Sequence, residues 1–170
     1  MNDKKRDRVE RAQQEAADRR QKAIVSLAHC LGRSDVYRSH HDALVHEMLA
    51  AGKGDHFTNA KKLRFVAYIC SWFAGLATVI ERYQQLVNTG TLPESEELSA
   101  LISSEYLDLL KPFRNAVAHC SDYDDDRILD LLNTPQTTPD RAADISQAFK
   151  RYFQRHSTRP IYTGTTGDAS

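Results

Sequence analysis

Arg114, Asn115 and His119 are the residues whose types and spacing can do chemistry. They fall in the run LDLLKPFRNAVAHCSDY at 107–123. On a helical period Asn115 and His119 lie one turn apart on one face, because four residues advance about 400°. Arg114 sits about 100° round from Asn115, yet its long side chain can swing a guanidinium over the same patch. Ala116 and Ala118 are small and leave room for an approaching group. Leu107, Leu110, Phe113 and Val117 supply the opposite, buried face. A cation, an amide and an imidazole on one side suit phosphate chemistry. A pentacoordinate phosphate calls for positive charge and a proton shuttle near neutral pH, where imidazole titrates.

The elements that must position this group are helical. Residues 3–31 read as a first helix, charged at first and apolar from Ala23, with Ile24, Leu27, Ala28 and Leu31 as its stripe and Gly32 as its stop. Ser34 caps a second helix over 35–51, whose apolar positions are Val36, Leu44, Val45, Met48 and Leu49. A long central helix spans 57–88, with apolar residues recurring at threes and fours from Leu63 to Val87. Phe65, Tyr68 and Trp72 widen its stripe, which predicts more than one packing neighbour. The run TGTLP at 89–93 ends it, and a short helix over 94–103 precedes the Arg/His helix. Pro112 either kinks that helix or opens a fresh one. The acidic run after His119 caps a helix over 124–133. A linker at 133–140 leads to a last helix, 139–156, that packs Ile145, Phe149, Tyr152 and Phe153. No strand-period segment of useful length is present. The expected fold is all-α, an antiparallel bundle of four to six helices: N-terminal helices over 1–56, a core over 57–156 and a mobile tail over 157–170.

Composition narrows the function classes. The 170 residues suit one domain, and 23 Lys plus Arg balance 23 Asp plus Glu. Zero net charge argues against coating nucleic acid by bulk charge, but not against cations confined to one cleft. The first 22 residues do hold eight Lys or Arg against five Asp or Glu, which reads as a solvated first helix. Cys30, Cys70 and Cys120 are odd in number without CxxC spacing, so neither a disulfide framework nor a structural zinc site is expected, and the cytoplasm is the simplest compartment. No secretory h-region opens the chain, and no uninterrupted apolar run approaches eighteen residues, so no membrane span is expected. His41 and His46 are five apart, off one helical face, and no cysteine or carboxylate pair completes a shell with His40, so no metal is assigned there. No cofactor is expected either.

The order of these features resembles the HEPN superfamily. The residues that carry the likeness are Arg114-Asn115-Ala-Val-Ala-His119, an R-x4-H pattern with Asn directly after Arg. Around them stand the long apolar-aromatic helix ending VIERY at 79–83, the aspartate-rich run after His119 and the closing AFKRYF at 148–153. The likeness covers roughly 57–156. It implies a metal-independent endoribonuclease, with Arg114 binding phosphate and stabilising the transition state and His119 acting as acid or base. Asn115 orients the pair, and Glu81 takes a supporting acidic position that can orient His119. It also implies an RNA substrate, attack by the 2′-hydroxyl in one composite cleft of a homodimer, and a place in a prokaryotic toxin–antitoxin or phage-defence system. The subgroup controlled by nucleotidylation carries a tyrosine two residues after the histidine. Here that position is Ser121, and Tyr123 is the nearest tyrosine.

A rival from another class is a catalytically silent helical protein of the same shape that binds a protein partner, such as an antitoxin or larger effector. In the enzyme, Arg114 and His119 of two subunits face an open cleft. In the rival they are apart, buried or tied to carboxylates.

Overall fold

The computed structural model describes residues 3–51, 58–118 and 139–161, and those residues form five helices and no strand. They are α1 (Asp3–Ala50), α2 (Asn59–Asn88), α3 (Glu96–Leu101), α4 (Ser104–Ala118) and α5 (Pro139–His156). The all-α expectation holds. The helix expected over 124–133, together with His119, Cys120 and Tyr123, lies outside the described residues.

Helix α2 is the centre, packing against α1, α4 and α5. Thr58 caps it, its hydroxyl accepting the Lys61 N–H at 3.3 Å. Gly90, at φ +69°, lets the chain turn away after its last turn, where the Gly90 and Thr91 N–H groups bond the carbonyls of Val87 and Leu86. Val66, Ile69, Trp72, Phe73, Leu76, Val79, Ile80 and Tyr83 are buried along it. By length and composition α2 can cross a membrane, although no uninterrupted apolar run predicts this; in this fold it is the core helix. Phe73 meets Phe113 of α4 edge-on at 4.8 Å, and Tyr83 meets Phe149 and Tyr152 of α5 at 5.4 and 5.3 Å. Such pairs add about 0.5–1.5 kcal/mol each beyond their burial.

The N-terminal region corrects the expectation of two helices. α1 runs unbroken through Gly32 and Ser34, about 70 Å in all at 1.5 Å per residue. Its core face continues across the supposed break: Ile24, Leu27, Leu31, Ser34, His41 and Leu44 are all buried. The Ser34 hydroxyl caps nothing. It donates to the Trp72 carbonyl at 2.8 Å, beside Gly75, where the two helices come so close that an added Cβ would lie 2.9 Å from the Ser34 Cβ. Asp35 pairs with Lys150 of α5 at 2.7 Å. Contacts 34 with 75 and 47 with 61 make α1 and α2 an antiparallel hairpin. Tertiary contact thus overrides the local stop signal.

Other expected core positions lie on the surface. Val36, Leu49, Leu63 and Val117 are exposed. The side chains of 6–20 are exposed throughout, so the first turns of α1 extend beyond the core, with an Arg6–Glu10 ion pair and a Gln14–Asp18 bond at i,i+4 spacing. The start of the supposed mobile tail is tied down. Gln21 of α1 accepts the Thr158 N–H at 2.9 Å and donates to the Ser157 hydroxyl at 3.0 Å, and Ile161 packs on the core. Residues 162–170 are outside the described residues.

Candidate functional site

The site begins with the start of α4. The Ser103 hydroxyl accepts the Tyr106 N–H at 3.1 Å, and Glu105 stands in the first turn, where a carboxylate favours a helix N-terminus. Tyr106, Leu110 and Phe113 are fully buried and anchor α4 to α2. Pro112 lies inside the helix, resolving the choice between a kinked and a fresh helix in favour of one element. A proline there has no N–H for the carbonyl four residues earlier. Lys111 pairs with Asp108 at 2.6 Å in the same turn.

Phe113 points inward and the next two residues point out. Arg114 and Asn115 are exposed on the last turn described. The guanidinium of Arg114 reaches α2, where Nη1 donates to both carboxylate oxygens of Glu81, at 2.7 and 2.8 Å. Both side chains remain more than two-fifths exposed. A pair so placed is screened by water and stabilises the fold by about 0–1 kcal/mol. Nε and Nη2 of Arg114 have no partner among the described residues, nor has the Asn115 amide.

Of the five candidate residues, the structure brings together Arg114 and Glu81 and sets Asn115 beside them. His119 and Tyr123 lie outside the described residues; among the described residues Glu81 contacts Arg114. Sequence flagged both members of this pair singly. Nothing in local spacing joins residues 33 apart, and only the packing of α2 on α4 does so.

The histidines of α1 have other roles. His41 is buried between Phe65 and Trp72, at 5.0 and 5.9 Å between ring centres, with Nδ1 3.0 Å from Asp42. His40 stacks on Tyr68 at 5.3 Å. Trp72 and Phe73 lie in the core, while Tyr68 is half-buried. Among the described residues no three His, Cys, Asp or Glu side chains converge as metal ligands. Cys30 and Cys70 are free thiols.

Burial raises the phenols of Tyr83, Tyr106 and Tyr152 above their ordinary pKa, Tyr106 to about 12. These are core groups remote from Arg114 in role. The Tyr152 hydroxyl donates to the Pro93 carbonyl, and the Tyr83 hydroxyl accepts from the Ser95 N–H. Comparison of the chain with protein-family models, curated proteins and solved structures found no match, so the reading of the site rests on its own residues.

Proposed function

We propose that this chain is a metal-independent endoribonuclease of HEPN type, acting as a homodimer, in which Arg114, Asn115 and His119 work on the scissile phosphate. The observation that supports this reading is the exposed end of α4, where Arg114 and Asn115 stand side by side over a buried, aromatic-anchored turn. The fold gains little from a screened Arg114–Glu81 pair, so stability gives a weak reason for keeping the guanidinium there. In the proposed reaction the ribose 2′-oxygen attacks phosphorus, and its proton passes to an imidazole acting as base. As the new P–O bond forms, the bond to the 5′-oxygen breaks. An imidazolium gives that oxygen a proton, leaving a 2′,3′-cyclic phosphate and a 5′-hydroxyl. Arg114 binds the charge that develops on the non-bridging oxygens. The two His119 side chains of a dimer supply the base and the acid, and the biological setting is a toxin or effector of a prokaryotic defence or toxin–antitoxin system in the cytoplasm.

The rival reading, a silent helical module that binds an antitoxin or effector, has its own support. Arg114 is tied to a carboxylate, one of the arrangements that reading expects.

The test is cleavage of end-labelled RNA by the purified full chain in EDTA, with His119→Ala, Arg114→Ala and Glu81→Gln alongside. Cleavage that survives chelation, yields cyclic phosphate ends and falls by at least about 100-fold in His119→Ala and Arg114→Ala supports the enzyme. Equal inertness of wild type and variants on several RNAs, with dimerisation lost in the variants, sinks it in favour of the binding module.

A further inference from the structure

A shallow groove of about 930 Å³ runs along α1, on a face turned away from the α2 contact, and plays no part in the site described above. Its floor is Val25, Ala28, Gly32 and Val36, with Val36 more than half exposed. Val25, Gly32 and Val36 follow each other at seven and four residues, the spacing of a seam that receives another helix. At Gly32 the floor is bare backbone, because a Cβ built there meets no atom within 4 Å. A facing helix could therefore approach the α1 backbone closely at Gly32. Its length, from residue 25 to residue 36, is about 16 Å, or three helical turns.

The rim carries one sign of charge. Lys22, His29 and Arg33 project from α1, and Arg159 comes from the C-terminal segment that Gln21 holds against the helix. Among the described residues no carboxylate lines the groove. Asp35, the nearest acid in the sequence, is turned to Lys150 instead. Lys22 and Arg159 have no acidic partner among the described residues, and the one side-chain bond of Arg33 is a 3.6 Å contact to the Cys30 sulfur.

We propose that this groove docks an acidic amphipathic helix of a partner protein, about three turns long, with apolar residues on the Val25–Val36 seam and Asp or Glu on its flanks. The inference is independent of the ribonuclease reading. A second copy of the same face fits less well, since a two-fold contact would bring two cationic rims together. Nucleic acid is the weaker fit. A single strand is held by aromatic platforms beside its phosphates, and among the described residues no Phe, Tyr or Trp lines this groove. A mostly apolar floor between cations matches the helix-in-groove mode instead.

The experiment selects phage-displayed helical peptides, randomised at every position, on the immobilised full chain. Enriched peptides are then titrated by fluorescence anisotropy against wild type, Arg33→Glu, Val36→Asp and, as a charge control, the exposed Arg64→Glu. Circular dichroism confirms the fold of each variant. Enrichment of acidic amphipathic sequences, with affinity reduced by about tenfold or more in both groove variants and little changed in Arg64→Glu, supports the proposal. No enrichment, enrichment without acidic bias, or binding indifferent to Val36→Asp overturns it. So does displacement of the peptides by a single-stranded RNA 20-mer whose own binding responds to Arg33→Glu and not to Val36→Asp, because the surface is then a phosphate site.

Discussion

Gly32→Ala tests whether α1 is one helix or two, because the sign of its effect differs between the cases. In the structure Gly32 is an interior helical residue without a positive φ, and an added methyl meets nothing within 4 Å. Alanine there carries only the propensity gain, about 0.5–1 kcal/mol, since glycine loses more backbone freedom on folding. For a chain of this size that raises Tm by roughly 1–4 °C. If Gly32 instead ended a first helix in the left-handed region, alanine would be strained there and Tm would fall by a similar amount. Thermal unfolding followed at 222 nm, with urea unfolding to check that the m-value is unchanged, reads the sign directly. A fall in Tm, with native dichroism retained at low temperature, refutes the continuous helix.

Two further predictions concern the core. Gly75→Ala places a methyl 2.9 Å from the Ser34 Cβ, so it should destabilise by about 1–2 kcal/mol after its propensity gain is deducted. In a Ser34→Gly background the same change should be neutral or stabilising, and an unaltered penalty in that urea-unfolding cycle would show that the helices do not meet there. Tyr106→Phe should be neutral within about 1 kcal/mol at pH 7, because the buried hydroxyl lacks a hydrogen-bond partner among the described residues and the ring remains under Arg141 at 4.4 Å. Because burial raises the folded pKa of Tyr106 from 10.0 to about 12, its neutral form contributes stability that is complete below pH 10 and lost as pH rises towards 12. Urea unfolding at pH 7 and pH 11 should therefore show a smaller alkaline loss for the variant than for wild type, and equal losses would contradict the assignment.

What the sequence reveals and what it hides follow from the range of the forces involved. Helices α2 and α5 are legible because apolar residues recur over many turns and strong punctuation bounds them, Thr58 and Gly90 for one and Pro139 for the other. Residues 139–156 are helical as the periodicity predicts. The break at Gly32 misleads because a glycine followed by a serine is a local stop-and-cap signal. The serine's real partner is the Trp72 carbonyl, 38 residues away. Leu63 misleads differently. Its spacing fits the stripe, but burial needs a neighbour opposite, and periodicity says nothing about where a neighbour stops. At the site the residue types were legible one by one. The join between Arg114 and Glu81 depends on how α4 lies across α2, set by Tyr106, Leu110 and Phe113 on the inner face.

That join is compatible with the phosphate-binding role proposed for Arg114. Nη1 alone spans both oxygens of Glu81, which leaves the outer edge of the guanidinium, Nε and Nη2, without a protein partner among the described residues. Releasing a pair this exposed costs about 1 kcal/mol or less, so Glu81 offers an incoming phosphate little competition for the guanidinium. A phosphate can therefore take the guanidinium from Glu81, or share it through the free edge. In an enzyme, Glu81→Gln removes a competing negative charge while keeping the shape, so its effect should appear in KM for RNA more than in stability. In a silent module the same change should leave RNA binding untouched. Glu81 thus holds Arg114 at the surface loosely enough for an incoming anion to move it.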